Sequence, residues 1–343
     1  RKGKLMKIMV TGNLGYVGNV LTQILSKLNF QVIGCDSNFY PQKFLTNTPS
    51  DIIQIVKDIR TISADDLDGV SHICHLAALS NDPLGEINPN LTNDVNYLAT
   101  VRLAKLAKKS KVERFIFSSS CSSYGANDEI VDENSPLAPI TSYAKSKVNS
   151  EKEILELNDD NFMVTNLRSA TAYGLSNSLR LDLVVNNLTC SAFTTKKVNM
   201  LSDGTSWRPL VHVEDMANAF ISVLNAEPNK ISGETFNVGN NEDNYKVHEI
   251  ADKVQEIVPN SEITYAKNAN KDTRSYRVDF NKIKNQLGYK TKWTLKKGIE
   301  SIYENLKEKN FSENDFNDKK YYRVKYLNWL MNENAIDSDL FIR

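Results

Sequence analysis

Cysteine is scarce in this sequence. Its four residues, Cys35, Cys74, Cys121 and Cys190, stand far apart and form no C-x-x-C pair. That spacing argues against a zinc site or a disulfide framework and fits a reducing compartment, so no metal is expected. No apolar run approaches the ~20 residues of a membrane-spanning helix. No charged-then-apolar leader opens the chain, and a soluble, cytoplasmic protein is expected. Charge of one sign is also missing, because 42 Lys plus Arg balance 42 Asp plus Glu. A neutral chain has no general attraction for nucleic acid or an anionic membrane. Net charge does not report a local basic pocket for a phosphate. Internal repeats and low-complexity linkers are absent. Arg1–Leu5, ahead of Met6, read as an added or extended segment.

What is present is an ordinary globular composition, 41% apolar over 343 residues, enough for one large α/β unit and a smaller appended region. Short apolar strands alternate with amphipathic helices in the first half. Strands are expected at Lys7–Thr11, Gln31–Cys35, Asp51–Val56, His72–Leu76, Arg114–Ser118 and Phe162–Arg168, with helices near Tyr16–Leu28 and Leu91–Lys109. Such alternation implies βαβ units and a parallel sheet covered on both faces, a Rossmann-type doubly wound α/β fold. After about Gly174 the rhythm loosens. Helices are expected at Leu183–Phe193, Val213–Leu224 and Val247–Val258, and a strand at Glu234–Val238. The expected division is 6–174 for a dinucleotide-binding domain, with a strand and helix returning to it from the second half. Residues 175–343 then form a smaller C-terminal α/β substrate region, and Asn310–Arg343 a helical wrapping tail.

The first strand runs straight into Thr11-Gly12-Asn13-Leu14-Gly15-Tyr16-Val17-Gly18. Glycines at this spacing let the chain turn tightly, approach a pyrophosphate and pack helix on strand, and the helix N-terminus then offers N–H groups to the phosphates. Three glycines alone are a weak signal; their place between a buried strand and a helix strengthens it. A tight turn without ligand is the competing reading. Asp36 closes the second strand. An acid there can accept both adenosine ribose hydroxyls and repel a 2′-phosphate, which favours NAD over NADP. Asp58-Ile59, after the third strand, are candidates for the adenine.

Tyr143 and Lys147 stand one helical turn apart on one face. A free phenol ionises near pH ~10. A neighbouring ammonium and the positive charge of an oxidised nicotinamide both favour phenolate, which could then act as base. Spacing alone does not choose this pair, since Tyr303–Lys307 and Tyr321–Lys325 share it and are read as helix-surface pairs. Context does. Phe117-Ser118-Ser119-Ser120-Cys121-Ser122-Ser123-Tyr124-Gly125 ends a buried strand, where ligands bind in such sheets, and a serine hydroxyl there can hydrogen-bond the oxygen the tyrosine deprotonates.

Taken together, TGNLGYVG, Asp36, HLAA at His75–Ala78, Val95-Asn96, FSSSCSSYG and YAKSK resemble the extended short-chain dehydrogenase/reductases, the NAD-dependent epimerase/dehydratase family. The similarity continues through Gly204–Asp215 and 273–279. The resemblance implies catalysis by Ser120, Tyr143 and Lys147. It implies cofactor contacts from Gly12, Asn13, Leu14, Gly15, Tyr16, Val17, Gly18, Asp36, Asp58, Ile59, Leu76, Ala77, Ala78, Asn96 and Ser118 as well as Tyr143 and Lys147. Substrate contacts are implied for Ser120, Cys121, Ser122, Asn187 (or its neighbour Asn186), Arg208 and Arg274, the arginines on a nucleotide diphosphate. It also implies a nucleotide-sugar substrate and a homodimer.

This sequence departs from the family where it matters for chemistry. Sugar-nucleotide 4,6-dehydratases of the family place Asp and Glu after the catalytic hydroxyl residue; here those positions are Cys121 and Ser122. Acid-assisted loss of water lacks its carboxylates. Cys121 is one residue out of register with the acid/base cysteine of related 3,5-epimerases, and reads as a small buried residue. Hydride-and-proton chemistry at C4 of the sugar remains, as 4-epimerisation or 4-dehydrogenation. The alternatives are a 4,6-dehydratase, a reductase of a non-nucleotide carbonyl compound, and a non-catalytic NAD-binding regulator.

Overall fold

A computed structural model describes residues 6–40, 44–45, 52–270, 272 and 274–343. Fourteen strands follow one another among them: β1 (Lys7–Thr11), β2 (Gln31–Asp36), β3 (Ile53–Val56), β4 (His72–His75), β5 (Arg114–Ser120), β6 (Ile130–Val131), β7 (Met163–Ser169), β8 (Thr171–Tyr173), β9 (Lys197–Ser202), β10 (Trp207–His212), β11 (Glu234–Val238), β12 (Asn244–Lys246), β13 (Glu262–Asn270) and β14 (Arg277–Val278). Seven build one sheet in the order β11-β7-β5-β4-β1-β2-β3, every neighbouring pair parallel. Parallel strands need crossovers, and their near-continuous apolar sequences are buried on both faces. Ile8, Val10 and Ile116 pack into the layer that includes Leu21 and Phe220. Met9, Ile33, Ile73 and Phe115 pack into the opposite layer with Leu103 and Val164. Strand order reverses between β1 and β4, where ligands bind in open α/β sheets.

The seventh strand, β11, comes from the second half of the chain, and helix Val213–Asn225 returns with it to lie on the same face as helix Tyr16–Lys27. Beyond the sheet, β12-β10-β8 form a small mixed sheet and β13-β9 a parallel pair. These gather a third core around Leu179, Val185, Ile250 and Ile302. The strand expected at Asp51–Val56 is β3; Asp51 lies outside the described residues.

Two expectations need correction. The helix expected at Leu91–Lys109 is a short turn at Pro89–Thr92, a π-helical stretch at Asn93–Leu98 and an α-helix at Ala99–Lys109. Tyr321 is no helix-surface residue: it is 6% exposed in a 3-10 turn, packed on Phe44 and Phe311. Tyr303 does lie on a helix, Leu295–Glu308, half-buried with its ring against Phe193.

Candidate active site

A cleft of about 440 Å³ opens along the carboxyl ends of β1, β2, β4 and β5. At one end lies the glycine turn. Gly12 has φ +73°, and a Cβ there would stand 2.8 Å from the Ala77 nitrogen; a Cβ on Gly18 would fall 2.0 Å from the Gly12 carbonyl oxygen. Side chains are excluded because turn, helix and the β4 loop touch backbone to backbone. Helix Tyr16–Lys27 starts from Gly15 with no side chain capping it, so its first N–H groups are left for a ligand. Gly12, Leu14, Gly15, Tyr16, Val17 and Gly18 all line the cleft. Asn13 does not. It is 2% exposed, and its amide exchanges hydrogen bonds with Gln54 at 2.7 and 3.2 Å, turning into the sheet instead.

Asp36 lines the cleft beside the turn. The Leu14 N–H donates to Oδ2 at 3.1 Å and the Asn38 N–H to Oδ1 at 2.8 Å. Burial raises its pKa and these donors oppose the shift. Each oxygen retains a lone pair for a further donor. Asp58 and Ile59 also border the cleft, but the Asp58 carboxylate is committed to Arg60 at 2.8 and 3.0 Å. Leu76, Ala77 and Ala78 form the wall above β4. Asn96 is not in the wall. It holds the loop from behind, accepting from Leu79 N at 2.8 Å and donating to Leu79 O at 3.1 Å.

The serine strand and the tyrosine helix meet at the middle. Thr141 caps helix Ser142–Leu155 by accepting from Ala144 N at 3.1 Å. That cap sets the helix so that Tyr143 and Lys147 point into the cleft and Tyr143 hydrogen-bonds Ser120. Lys147 donates to the Ser118 carbonyl at 2.7 Å, and its ammonium lies 5.6 Å from the Tyr143 ring centroid. The charge states differ from the expectation. Burial pushes Tyr143 up to about 12, Asp82 adds to that, and the Ser120 hydrogen bond only partly opposes it. Burial pulls Lys147 down to about 7 despite Glu151 nearby. Without a ligand the pair therefore favours neutral phenol, because desolvation outweighs the Ser120 hydrogen bond and the Arg180 charge. Behind them His75 is fully buried between Thr11 and Thr100, at 2.6 and 2.8 Å, and burial holds it down to about 3, a neutral structural imidazole.

Ser120 and Ser122 line the cleft, 2.9 Å apart through their hydroxyls. Cys121 faces the other way. It is 0% exposed, its thiol donates to the Arg168 carbonyl at 3.1 Å, and burial holds its pKa well above the ordinary thiol value. It is packing, not a substrate contact: Cys121 opens the 3-10 turn Cys121–Tyr124, which carries its side chain into the core. Asn187 is likewise tied to the Leu181 carbonyl at 2.7 Å and lies outside the cleft wall. Asn186 is buried, spanning Gly174, Arg180 and the Tyr16 hydroxyl.

Arg208 and Arg274 come together at the far end, both on the cleft. They share Asp272, at 2.6 and 2.8 Å, and Arg274 also pairs with Asp82 at 2.8 Å. An Arg208 nitrogen donates to the Arg274 carbonyl. Sequence reading missed Asp82, whose other oxygen accepts from Thr141 at 2.6 Å. It also missed Arg180, which clamps Asp182 at 2.8 and 3.1 Å and reaches Ser80 at 3.0 Å. Tyr40 and Arg323 complete the wall. None of these sits in a motif with its own spacing, so only the fold assembles them.

A putative UDP-glucose 4-epimerase of Methanocaldococcus jannaschii is 27% identical over 316 residues, covering 88% of this chain and 99% of the relative. UDP-glucuronic acid decarboxylase 4 of Arabidopsis thaliana is 25% identical over 327 residues, 91% of this chain and 71% of the relative. Among solved structures, MoeE5 in complex with UDP-glucuronic acid and NAD has the same fold, with a TM-score of 0.79, 24% identity, and coverage of 88% of this chain and 99% of that one. The model of the NAD dependent epimerase/dehydratase family matches residues 8–239, from β1 through the glycine turn, the serine strand and Tyr143 to the end of β11, and the chain belongs to that family.

Proposed function

We propose that this NAD-dependent enzyme acts at C4 of a nucleotide-activated sugar, as a 4-epimerase or a 4-dehydrogenase. One observation carries the reading: Ser120, Tyr143 and Lys147 converge in a single cleft that has the glycine turn and Asp36 at one end and the paired Arg208 and Arg274 at the other. The cofactor fits the chain's own residues. A turn that no Cβ can enter supplies backbone donors for phosphates, and Asp36 keeps acceptor capacity for a ribose. Bound NAD supplies the acceptor for the C4 hydride. Ser120 holds the C4 oxygen, Tyr143 takes the hydroxyl proton at Oη, and Lys147 lends its charge from the next helical turn. Arg208 and Arg274 give up Asp272 to grip a diphosphate with charge-assisted hydrogen bonds. Ser119 Oγ and Ser169 Oγ are buried on the cleft without partners among the described residues, which suits polar ligand groups.

We read 6–174, with β11 and helix Val213–Asn225 returning, as the cofactor half and the remainder as the substrate half. A homodimer is part of the same reading. Dehydration is disfavoured. Asp82 borders the cleft but is tied to Thr141 and Arg274, and the positions of the family's acid pair hold Cys121 and Ser122. A UDP-sugar deuterated at C4 distinguishes the outcomes. An epimerase returns the deuterium to C4 of the inverted sugar; a dehydrogenase leaves it on the cofactor and releases a 4-keto sugar. Either result supports chemistry at C4. A 6-deoxy product lighter by one water overturns the reading.

A further inference from the structure

Arg323 is the first residue of the ten-residue helix Arg323–Asn332, the end at which the helix dipole disfavours a cation. It is 2% exposed. Its Nη2 donates to the Ser178 carbonyl at 3.1 Å and to Ser178 Oγ at 2.6 Å, while Nη1 is buried with no partner among the described residues. The nearby carboxylate of Asp182 is committed to Arg180 and meets only the Arg323 backbone N–H, at 3.4 Å. Burial and then the Arg180 charge pull the guanidinium down to about 10. The guanidinium lies 4.1 Å over the Tyr40 ring, and the Tyr40 hydroxyl is a second buried polar group without a partner there. Two orphaned donors thus stand side by side, and both side chains border the cleft along with Leu14–Gly18. A buried cation without a counter-ion is strongly unfavourable unless something supplies the charge.

We propose that Arg323 and Tyr40 form an anion subsite that takes the pyrophosphate of the dinucleotide, so that the C-terminal segment clamps the cofactor. The inference rests on the reading that the cleft holds NAD, and it adds a residue from the tail to that site. Placement favours the pyrophosphate over an adenosine 2′-phosphate. The Arg180 charge is felt by Tyr16 at the turn and by Tyr143 at the chemistry, and the Arg323 charge by Tyr16, Tyr40 and Asp36. Both cations border the same cleft as Leu14–Gly18, Asp36 and Tyr143, within electrostatic reach of the turn, which the phosphate bridge of a dinucleotide must cross. A 2′-phosphate would meet Asp36. The arginine is presented by a packed element. Leu327, Ile336 and Leu340 are buried in one cluster with Met9 and Ile33, and Arg60 donates to the Asp339 carbonyl at 2.6 Å and stacks 3.9 Å from the Phe341 ring.

Calorimetric binding of NAD, ADP-ribose, adenosine and NADP to the full chain, with melting of the cofactor-free protein, tests this in Arg323→Gln. NAD and ADP-ribose are expected to weaken roughly ten- to a hundredfold, as for loss of a charge-assisted hydrogen bond. Adenosine should be unchanged, and the cofactor-free protein should melt no lower. Weakening of NADP alone would make the guanidinium a 2′-phosphate reader and overturn the proposal. So would equal weakening of adenosine, or a lowered melting point with unchanged NAD binding. Should Arg323→Gln not fold, Tyr40→Phe carries the same comparison, with several-fold weaker NAD and unchanged adenosine expected; unchanged NAD overturns the proposal. Wild-type protein that binds neither NAD nor ADP-ribose overturns the cofactor reading itself and this inference with it. Wild-type binding that Arg323→Gln leaves intact overturns this inference alone.

Discussion

Tyr143 can serve as a base only if something lowers its phenol from about 12. Lys147, drawn down to about 7 by burial, is half neutral near that pH and cannot do so alone. The positive ring of an oxidised nicotinamide is the missing charge, since a cation beside a phenol favours its ionised form. Oxidised NAD added to cofactor-free protein at about pH 8 should therefore raise tyrosinate absorbance, although free phenols there stay protonated. Tyr143→Phe should abolish that signal and lower turnover by about 10²- to 10⁴-fold, the usual worth of a general base. An unchanged absorbance in the wild type, or a turnover that survives in Tyr143→Phe, would remove Tyr143 from the role. The Y-x-x-x-K spacing was legible in sequence. The charge states were not, because they depend on Asp82 and on burial, both delivered by other segments. Cys121 teaches the same at one position. Its neighbours Ser120 and Ser122 reach the cleft and it does not, a matter of how the 3-10 turn after β5 orients each side chain.

Among the elements, the tightness of the glycine turn was legible because its constraint is local. Gly18 lies where any Cβ would strike the Gly12 carbonyl at 2.0 Å, and backbone cannot step aside as a side chain can. Gly18→Ala is thus expected to destabilise the fold by about 1–3 kcal/mol, the range for overpacking. It should also weaken NAD far more than it lowers stability, since the helix must shift from the turn. Denaturant unfolding and NAD titration of the same variant check this, and a variant with wild-type affinity would contradict it. The segment Asn93–Leu98 was not legible. Its apolar spacing continues a helix, and the π-helical widening follows from Asn96 turning to hold both polar groups of Leu79 and to donate to Ser146 at 3.2 Å. Those partners lie in other elements.

Over the whole molecule, burial sets the response to acid. His72 is held down to about 4, and His75 and His212 to about 3, all by desolvation. Their folded values lie below the unfolded value, so the unfolded chain binds protons first as pH falls below about 6.5, and stability is lost there. At about pH 5.5 each histidine removes about 1.4 kcal/mol, about 4 kcal/mol for the three. Asp243, raised to about 6 by burial, protonates in the folded state first and offsets about 1 kcal/mol of that. Lys147, drawn down to about 7, takes up its proton late in the folded state and adds about 1 kcal/mol to the loss. Urea unfolding should accordingly show a net loss of about 4 kcal/mol between about pH 7.5 and 5.5. A flat profile would mean that these imidazoles are not neutral in the folded protein.

Features that depend on neighbours along the chain are fixed by residue order. Alternating apolar strands and amphipathic helices specify the parallel sheet, the glycines specify the turn, and one helical repeat brings Tyr143 and Lys147 to one face. The order of strands follows from their connections, so the serine strand and the turn were bound to open on one cleft. Tertiary structure alone decided which charges face that cleft. Asp82, Arg180 and Arg323 arrive from a short helix after β4, a loop after β8 and the C-terminal tail. Each occupies a position whose energy depends on burial and on a partner far away in sequence. Desolvation and Coulomb interaction between distant segments leave no periodicity behind, and so they become visible only once the chain is folded.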